Sequence, residues 1–131
     1  MSENLDLVRS IYANWERGDF SSAKWAHPDI VFETTGFVAT RSIGVASMAD
    51  RWREWMSAWE DYRVEADEFR ELDGGRVLVH MRHGGRGKLS GVGIEDLKPG
   101  ANVFDIRQGT VVRLALYWDR EDALTDLDLK D

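Results

Sequence analysis

Residues 45–83 read VASMADRWREWMSAWEDYRVEADEFRELDGGRVLVHMRH, and the period of their apolar residues changes once along the way. From Val45 to Trp59 the apolar positions include Val45, Met48, Trp52, Trp55, Met56 and Trp59. That spacing makes one broad apolar face on a helix, with Asp50, Arg51, Arg53, Glu54 and Glu60 mainly elsewhere. After Asp61 the pattern becomes that of strands. Residues 62–72 predict a strand with an irregularity near Glu68, Asp73-Gly74-Gly75 predicts a turn, and Arg76 to His83 alternates as a second strand. A helix with so strong an apolar stripe needs a sheet to cover it, and the strands that follow supply one.

Toward the N-terminus, Leu5, Val8, Tyr12 and Trp15 fall on one helical stripe within residues 3–17, with Ile11 beside them. Ser2 can cap that helix and Gly18 can stop it. Asp19 can cap a short second helix, Phe20 to Ala26, which His27-Pro28 ends with His27 in a loop. Ile30 to Thr34 is rich in strand-forming residues and runs to a turn near Gly36. Toward the C-terminus, Gly84, Gly85 and Gly87 suggest a bend or bulge. Further strands are expected at 89–95, 101–107 and 110–118, with turns at Lys98-Pro99-Gly100 and Gln108-Gly109. Residues 119–131 carry six acids and two bases and predict a short helix with a solvated acidic tail. The expected class is α+β, with helices packed on one face of a curved sheet.

A chain of 131 residues makes one domain, here 1–131, and can bury roughly two thirds of its unfolded surface. Its 43% hydrophobic content, with six Trp, five Phe and three Tyr, excludes disorder over the whole chain. The net charge of −7 argues against nucleic acid as a partner. With no cysteine there is no disulfide, thiol nucleophile or thiolate metal site. The opening MSENLDLVRS lacks the features of a secretory signal, and no stretch approaches the ~18 apolar residues of a membrane span. A cytoplasmic protein without a membrane partner is expected.

His80 and His83 lie three apart on a strand, so they point to opposite faces and cannot share a metal without a bulge between them. The run Gly85-Arg86-Gly87-Lys88-Leu89-Ser90 lacks the Ser/Thr after Lys that a phosphate loop needs, and its flanks are strand-like. Gly91-Val92-Gly93 lacks the third glycine of a dinucleotide fingerprint, and Ser90 is not in a nucleophile elbow. No metal or cofactor is expected. Three Trp on the helix of 45–59 are more than a core of this size packs with ease, so some of them are expected to wall a cavity.

Several motifs share their order with one known family. They are Asn14-Trp15-Glu16-Arg17-Gly18-Asp19, His27-Pro28-Asp29-Ile30-Val31-Phe32-Glu33, Gly44 before the long helix, and Gly85-Arg86-Gly87-Lys88. Val103-Phe104-Asp105-Ile106-Arg107-Gln108-Gly109 and Tyr117-Trp118-Asp119-Arg120 complete the set. Over essentially its whole length the chain resembles the nuclear transport factor 2 superfamily, in particular its SnoaL-like branch of polyketide-cyclase and ketosteroid-isomerase relatives. The resemblance implies a cone-shaped α+β barrel, a strongly curved mixed sheet wrapped around the helices, with a pocket in the cone and a homodimer through the outer sheet face. It places Glu33 where ketosteroid isomerases hold their general-base carboxylate and Asn102 where they hold an oxyanion-binding acid. Trp118 matches an aromatic pocket residue, and the oxyanion Tyr of helix one falls on Ile11. Loss of one such donor commonly costs ~3 kcal/mol in the transition state, so steroid isomerisation is not expected.

Two kinds of function remain beside a pure interaction protein that works through its sheet face. In one, Glu33 is a general acid/base whose pKa an apolar pocket raises, Asn102 orients an oxygen, and the substrate is a small, mostly apolar carbonyl compound. Isomerase, cyclase and dehydratase chemistry all fit that pattern. In the other, the same pocket binds a small apolar or aromatic molecule without turnover. Strand alternation would group Val31 with Glu33, Asn102 with Phe104, and Val112, Leu114 and Leu116 with Trp118 along the cavity. Tyr12, Trp15, Trp52 and Trp55 would form the opposite wall.

Overall fold

The computed structural model describes residues 3–19, 24–35, 40–57, 62–85 and 98–128, apart from the side chain of Trp55. Its elements in chain order are α1 (Glu3–Glu16), β1 (Ala26–Thr35), β2 (Thr40–Ile43), α2 (Val45–Ser57), β3 (Arg63–Leu72), β4 (Arg76–Gly84), β5 (Lys98–Arg107), β6 (Thr110–Tyr117) and α3 (Arg120–Asp126). A single 3-10 turn, Asp73–Gly75, joins β3 to β4. The class is α+β. The six strands form one mixed sheet in the order β2-β1-β6-β5-β4-β3, antiparallel except where β1 runs parallel to β6. Strands β2 and β3 are edges among the described residues, so the sheet is open, and the cone-shaped barrel of strongly curved sheet that the family resemblance implied is corrected.

The two faces of the sheet carry separate cores. On the inner face, Val8, Ile11, Tyr12 and Trp15 of α1 and Met48 of α2 pack with Ile30, Phe32, Val77, Val79, Phe104 and Leu114. On the outer face, Ala123 and Leu124 of α3 pack on Leu78, Ala101, Val103, Ala115 and Tyr117. The acidic C-terminal segment is therefore not simply a solvated tail: its helix has an apolar side seated on the sheet. Arg120 secures its start, donating from Nη2 to the Met81 carbonyl (2.8 Å) and to Asp67 (3.1 Å), and from Nε to the Gly100 carbonyl (3.2 Å). No helix among the described residues is long and apolar enough to cross a membrane.

Several sequence expectations change. Strand β1 begins at Ala26 and carries His27 and Pro28, so Ala26 does not end a helix and His27 is not in a loop. Residues 20–23, the body of that expected helix, lie outside the described residues, as do the strand at 89–95, the helix end at 58–59 and the turn at Gly36. Lys98-Pro99-Gly100 opens β5 rather than forming a turn. The irregularity near Glu68 is present as a register shift between Ala66 and Glu68. A second shift pairs Ile106 with Val111 but Asp105 with Arg113. Val111, not Val112, therefore joins Leu114 on the inner face.

Candidate functional site on the inner face of the sheet

Helical spacing puts Tyr12 and Trp15 of α1 on one stripe, and strand alternation puts Asn102 and Phe104 of β5 on one face. Where these meet, aromatic rings dominate. Tyr12 lies edge-on to Trp15 at 4.9 Å and to Phe69 at 5.7 Å between ring centroids. Trp15 approaches Trp52 at 5.1 Å, Trp25 at 6.1 Å and Phe104 at 6.1 Å, and Phe32 lies 5.7 Å from Trp52. Such pairs contribute ~0.5–1.5 kcal/mol each beyond their area.

One polar couple sits among these rings. Asn102 is 2% exposed, and its Nδ2 donates to the Tyr12 hydroxyl. Its Oδ1 is buried and has no hydrogen-bond partner among the described residues. A buried amide oxygen left in that state costs about 1–3 kcal/mol. Burial pushes the Tyr12 hydroxyl well above its usual pKa, with the Asn102 hydrogen bond opposing the shift, so the group stays protonated. Ile11 is the residue on which the family resemblance sets the oxyanion tyrosine, and Tyr12 is its neighbour on α1. Ile11 is buried in the core, and it is Tyr12 whose hydroxyl reaches Asn102.

A second polar group lies farther along the same face. His83 is 3% exposed, with Nδ1 2.8 Å from the Tyr62 hydroxyl and Nε2 3.2 Å from the Trp118 carbonyl. The Trp118 ring stands edge-on to His83 at 4.6 Å. Burial lowers the His83 pKa; the Trp118 carbonyl and Asp119 oppose this, and Lys98 adds to it. The close approach needs glycine at position 100, because a Cβ there would stand 2.8 Å from His83 Nε2 and 3.0 Å from the Tyr117 carbonyl oxygen. His80, three residues earlier, points to the outer face, as alternation requires.

The structure separates Glu33 from this site. Ile30 and Phe32 are the β1 residues in the inner core, so Val31 and Glu33 face outward. Glu33, 23% exposed, accepts a hydrogen bond from Arg113 (2.8 Å) and lies 3.5 Å from Arg41, its antiparallel partner on β2. Hydrogen bonding to Glu33 raises the Arg113 pKa further. The expectation that Val31 and Glu33 line the pocket is corrected. Of the other candidates, Tyr12, Trp15 and Phe104 are buried on the inner face, and Trp52 and Leu116 pack against the same cluster from partly buried positions. Trp118 sits half-buried against His83, and the Trp55 side chain lies outside the described residues. Trp25, Phe32, Phe69 and Tyr62 join the site without having been singled out from sequence, and His83, weighed there only as a metal ligand, joins it too.

The outer face has its own cleft, of about 50 Å³, lined by Arg76, Val103, Asp105, Arg113, Ala115, Tyr117 and Leu127. Ligand pockets usually have at least ~300 Å³, so this cleft is too small for a ring-sized molecule. Among the described residues no three His, Asp or Glu side chains gather as a metal site would need.

Helices laid on a mixed sheet, with one amide–phenol couple buried among rings, define an α+β protein of the nuclear transport factor 2-like fold. The chain belongs to the SnoaL-like domain family, whose model matches residues 8–114. Among curated protein sequences, none matches it. Solved structures share the fold at low identity. A nuclear transport factor 2-like protein from Burkholderia thailandensis is 18% identical with a TM-score of 0.79, over 97% of this chain and 98% of that one. One from Burkholderia pseudomallei is 19% identical with a TM-score of 0.77, over 95% and 97%. TerC, co-crystallised with polyporic acid, is 20% identical with a TM-score of 0.75, over 96% and 98%.

Proposed function

We propose that the chain is a small-ligand-binding protein whose site lies between α1, α2 and the inner face of the sheet. The ligand is a mostly apolar, ring-containing molecule that lies against Trp15, Trp52 and Phe104, with one polar group directed by Asn102. The unmet Oδ1 of Asn102, buried among rings, carries this reading. Evolution rarely leaves such a group without a partner, and a bound molecule would supply one. The likeness to TerC supports the same class of ligand. Binding is favoured over turnover because the expected general base, Glu33, faces the opposite side of the sheet and is paired with Arg113.

Tryptophan fluorescence tests the proposal, since Trp15, Trp25 and Trp52 border the site. Titration with polyporic acid or with 2-naphthol is expected to give saturable quenching. Saturable quenching that survives unchanged in both Trp15→Phe and Trp52→Phe would place the ligand elsewhere. Quenching that rises linearly with either compound would exclude a binding site for them.

A further inference from the structure

We propose that Tyr62 and His83 form a nucleophile and its base, at which the Tyr62 hydroxyl takes the acyl group from a small aryl ester. The pair shares no residue with the rings about Trp15, Trp52 and Asn102, and its chemistry does not depend on the binding function proposed above.

The Trp118 carbonyl can only accept a hydrogen bond, so His83 Nε2, 3.2 Å from it, carries the ring proton. Nδ1 then holds the lone pair, and the Tyr62 hydroxyl donates to it at 2.8 Å. Turning the imidazole over would set carbon atoms against both partners, so the two contacts together fix the ring. A hydroxyl within reach of a base that a third group orients is the arrangement of an activated nucleophile. His83 is buried whereas Tyr62 is partly exposed, so an ester meets the phenol oxygen and not the imidazole. The Trp118 ring, edge-on to His83, offers an apolar surface to the aryl group. The charged groups near the imidazole are Lys98, its register partner on β5, and Asp119, which is ion-paired with Lys98. Burial, helped by Lys98, favours the neutral ring that a base requires. In the reaction Tyr62 Oη bonds to the acyl carbon as its proton passes to His83 Nδ1. The bond from that carbon to the aryl oxygen breaks, the phenolate leaves with the electron pair, and the imidazolium gives its proton to solvent.

The wild-type chain with p-nitrophenyl acetate tests this, with the acetyl group located and its rate of attachment measured by peptide mass mapping. Tyr62 is expected to be acetylated about tenfold or more faster than N-acetyltyrosinamide at pH 7, and Tyr62→Phe should lose the rapid release of p-nitrophenolate. His83 acts through Tyr62, and the pH profile separates that role from a structural one. With the base in place, the rate of Tyr62 acetylation should stay level between pH 7 and pH 9. In His83→Gln it should start about tenfold or more lower and climb about tenfold per pH unit, as for an unassisted phenol that ionises near ~10. Should that variant not fold, the wild-type profile decides: a level rate supports the pair, and a tenfold rise per unit overturns it. Acetyl found on Lys98 with Tyr62 unlabelled would also overturn it, as would Tyr62 acetylated no faster than the free amide. Each of these results leaves the ligand site, read by tryptophan quenching, where it stands.

Discussion

Glu33→Gln is expected to leave ligand affinity within about twofold, because its side chain lies on the face away from Asn102 and Trp15. Its ion pair with Arg113 is partly exposed, and such pairs contribute ~0–1 kcal/mol, so urea denaturation should show a loss within that range. A large loss of binding in a folded Glu33→Gln protein would contradict this placement. Alternation alone could pair Glu33 with Val31, but it could not say which face of β1 is buried. The bulkier neighbours Ile30 and Phe32 decide that by filling the core. The family resemblance pointed to Asn102, and it set the helix-one tyrosine on Ile11, one residue and a rotation of ~100° from the Tyr12 that reaches Asn102. His83 gives a prediction about pH. Its pKa is lowered by burial, so the folded state binds its proton less well than the unfolded chain does. That contribution to stability is complete above the unfolded value of ~6.5 and is lost as pH falls toward the lower folded value. The melting temperature should decline between pH 7 and pH 5, and His83→Gln should flatten part of that decline. Parallel curves for the two proteins would contradict a buried, neutral His83.

Among the elements, α3 is the one whose weight the sequence concealed. Its acidic composition reads as solvated, yet Ala123 and Leu124 are buried against β5 and β6. Tyr117 adds a tie by donating to Asp126 (3.0 Å), and burial with that contact pushes the Tyr117 hydroxyl up to about 12. Leu124→Ala should therefore cost ~2–4 kcal/mol in urea denaturation. A cost below ~0.5 kcal/mol would show that the helix does not stay on the sheet. The long helix, the β3 irregularity and the β3–β4 turn were legible because each has a local cause: apolar period, broken alternation, paired glycines. Strand β2 was not, because its four residues, Thr40 to Ile43, carry no apolar alternation and depend on pairing with β1. Strand β5 was read as starting late because Pro99 and Gly100 look like a turn. Proline is tolerated near the beginning of a strand, and Gly100 is needed there by the approach of His83.

At the scale of the whole molecule, the fold class was legible and the closure of the sheet was not. Closure depends on which strands pair across long intervals of sequence, and the pairing of β1 with β6 leaves β2 and β3 as edges. The arrangement gives two faces of different character. The outer face pairs its charges, Glu33 with Arg113 and Asp67 with Arg82 and Arg120, and carries a cleft of about 50 Å³ lined in part by Arg113. The inner face gathers rings around the buried Asn102 Oδ1, which has no hydrogen-bond partner among the described residues. Our central claim is that ligand binding belongs to the inner face, and a crystal structure of the chain with 2-naphthol tests it most directly. The account predicts the naphthol oxygen within ~3 Å of Asn102 Oδ1, at hydrogen-bond distance, with its rings against Trp15 and Trp52. Naphthol seated on the outer face beside Arg113 and Asp105, with Asn102 still without a partner, would contradict it.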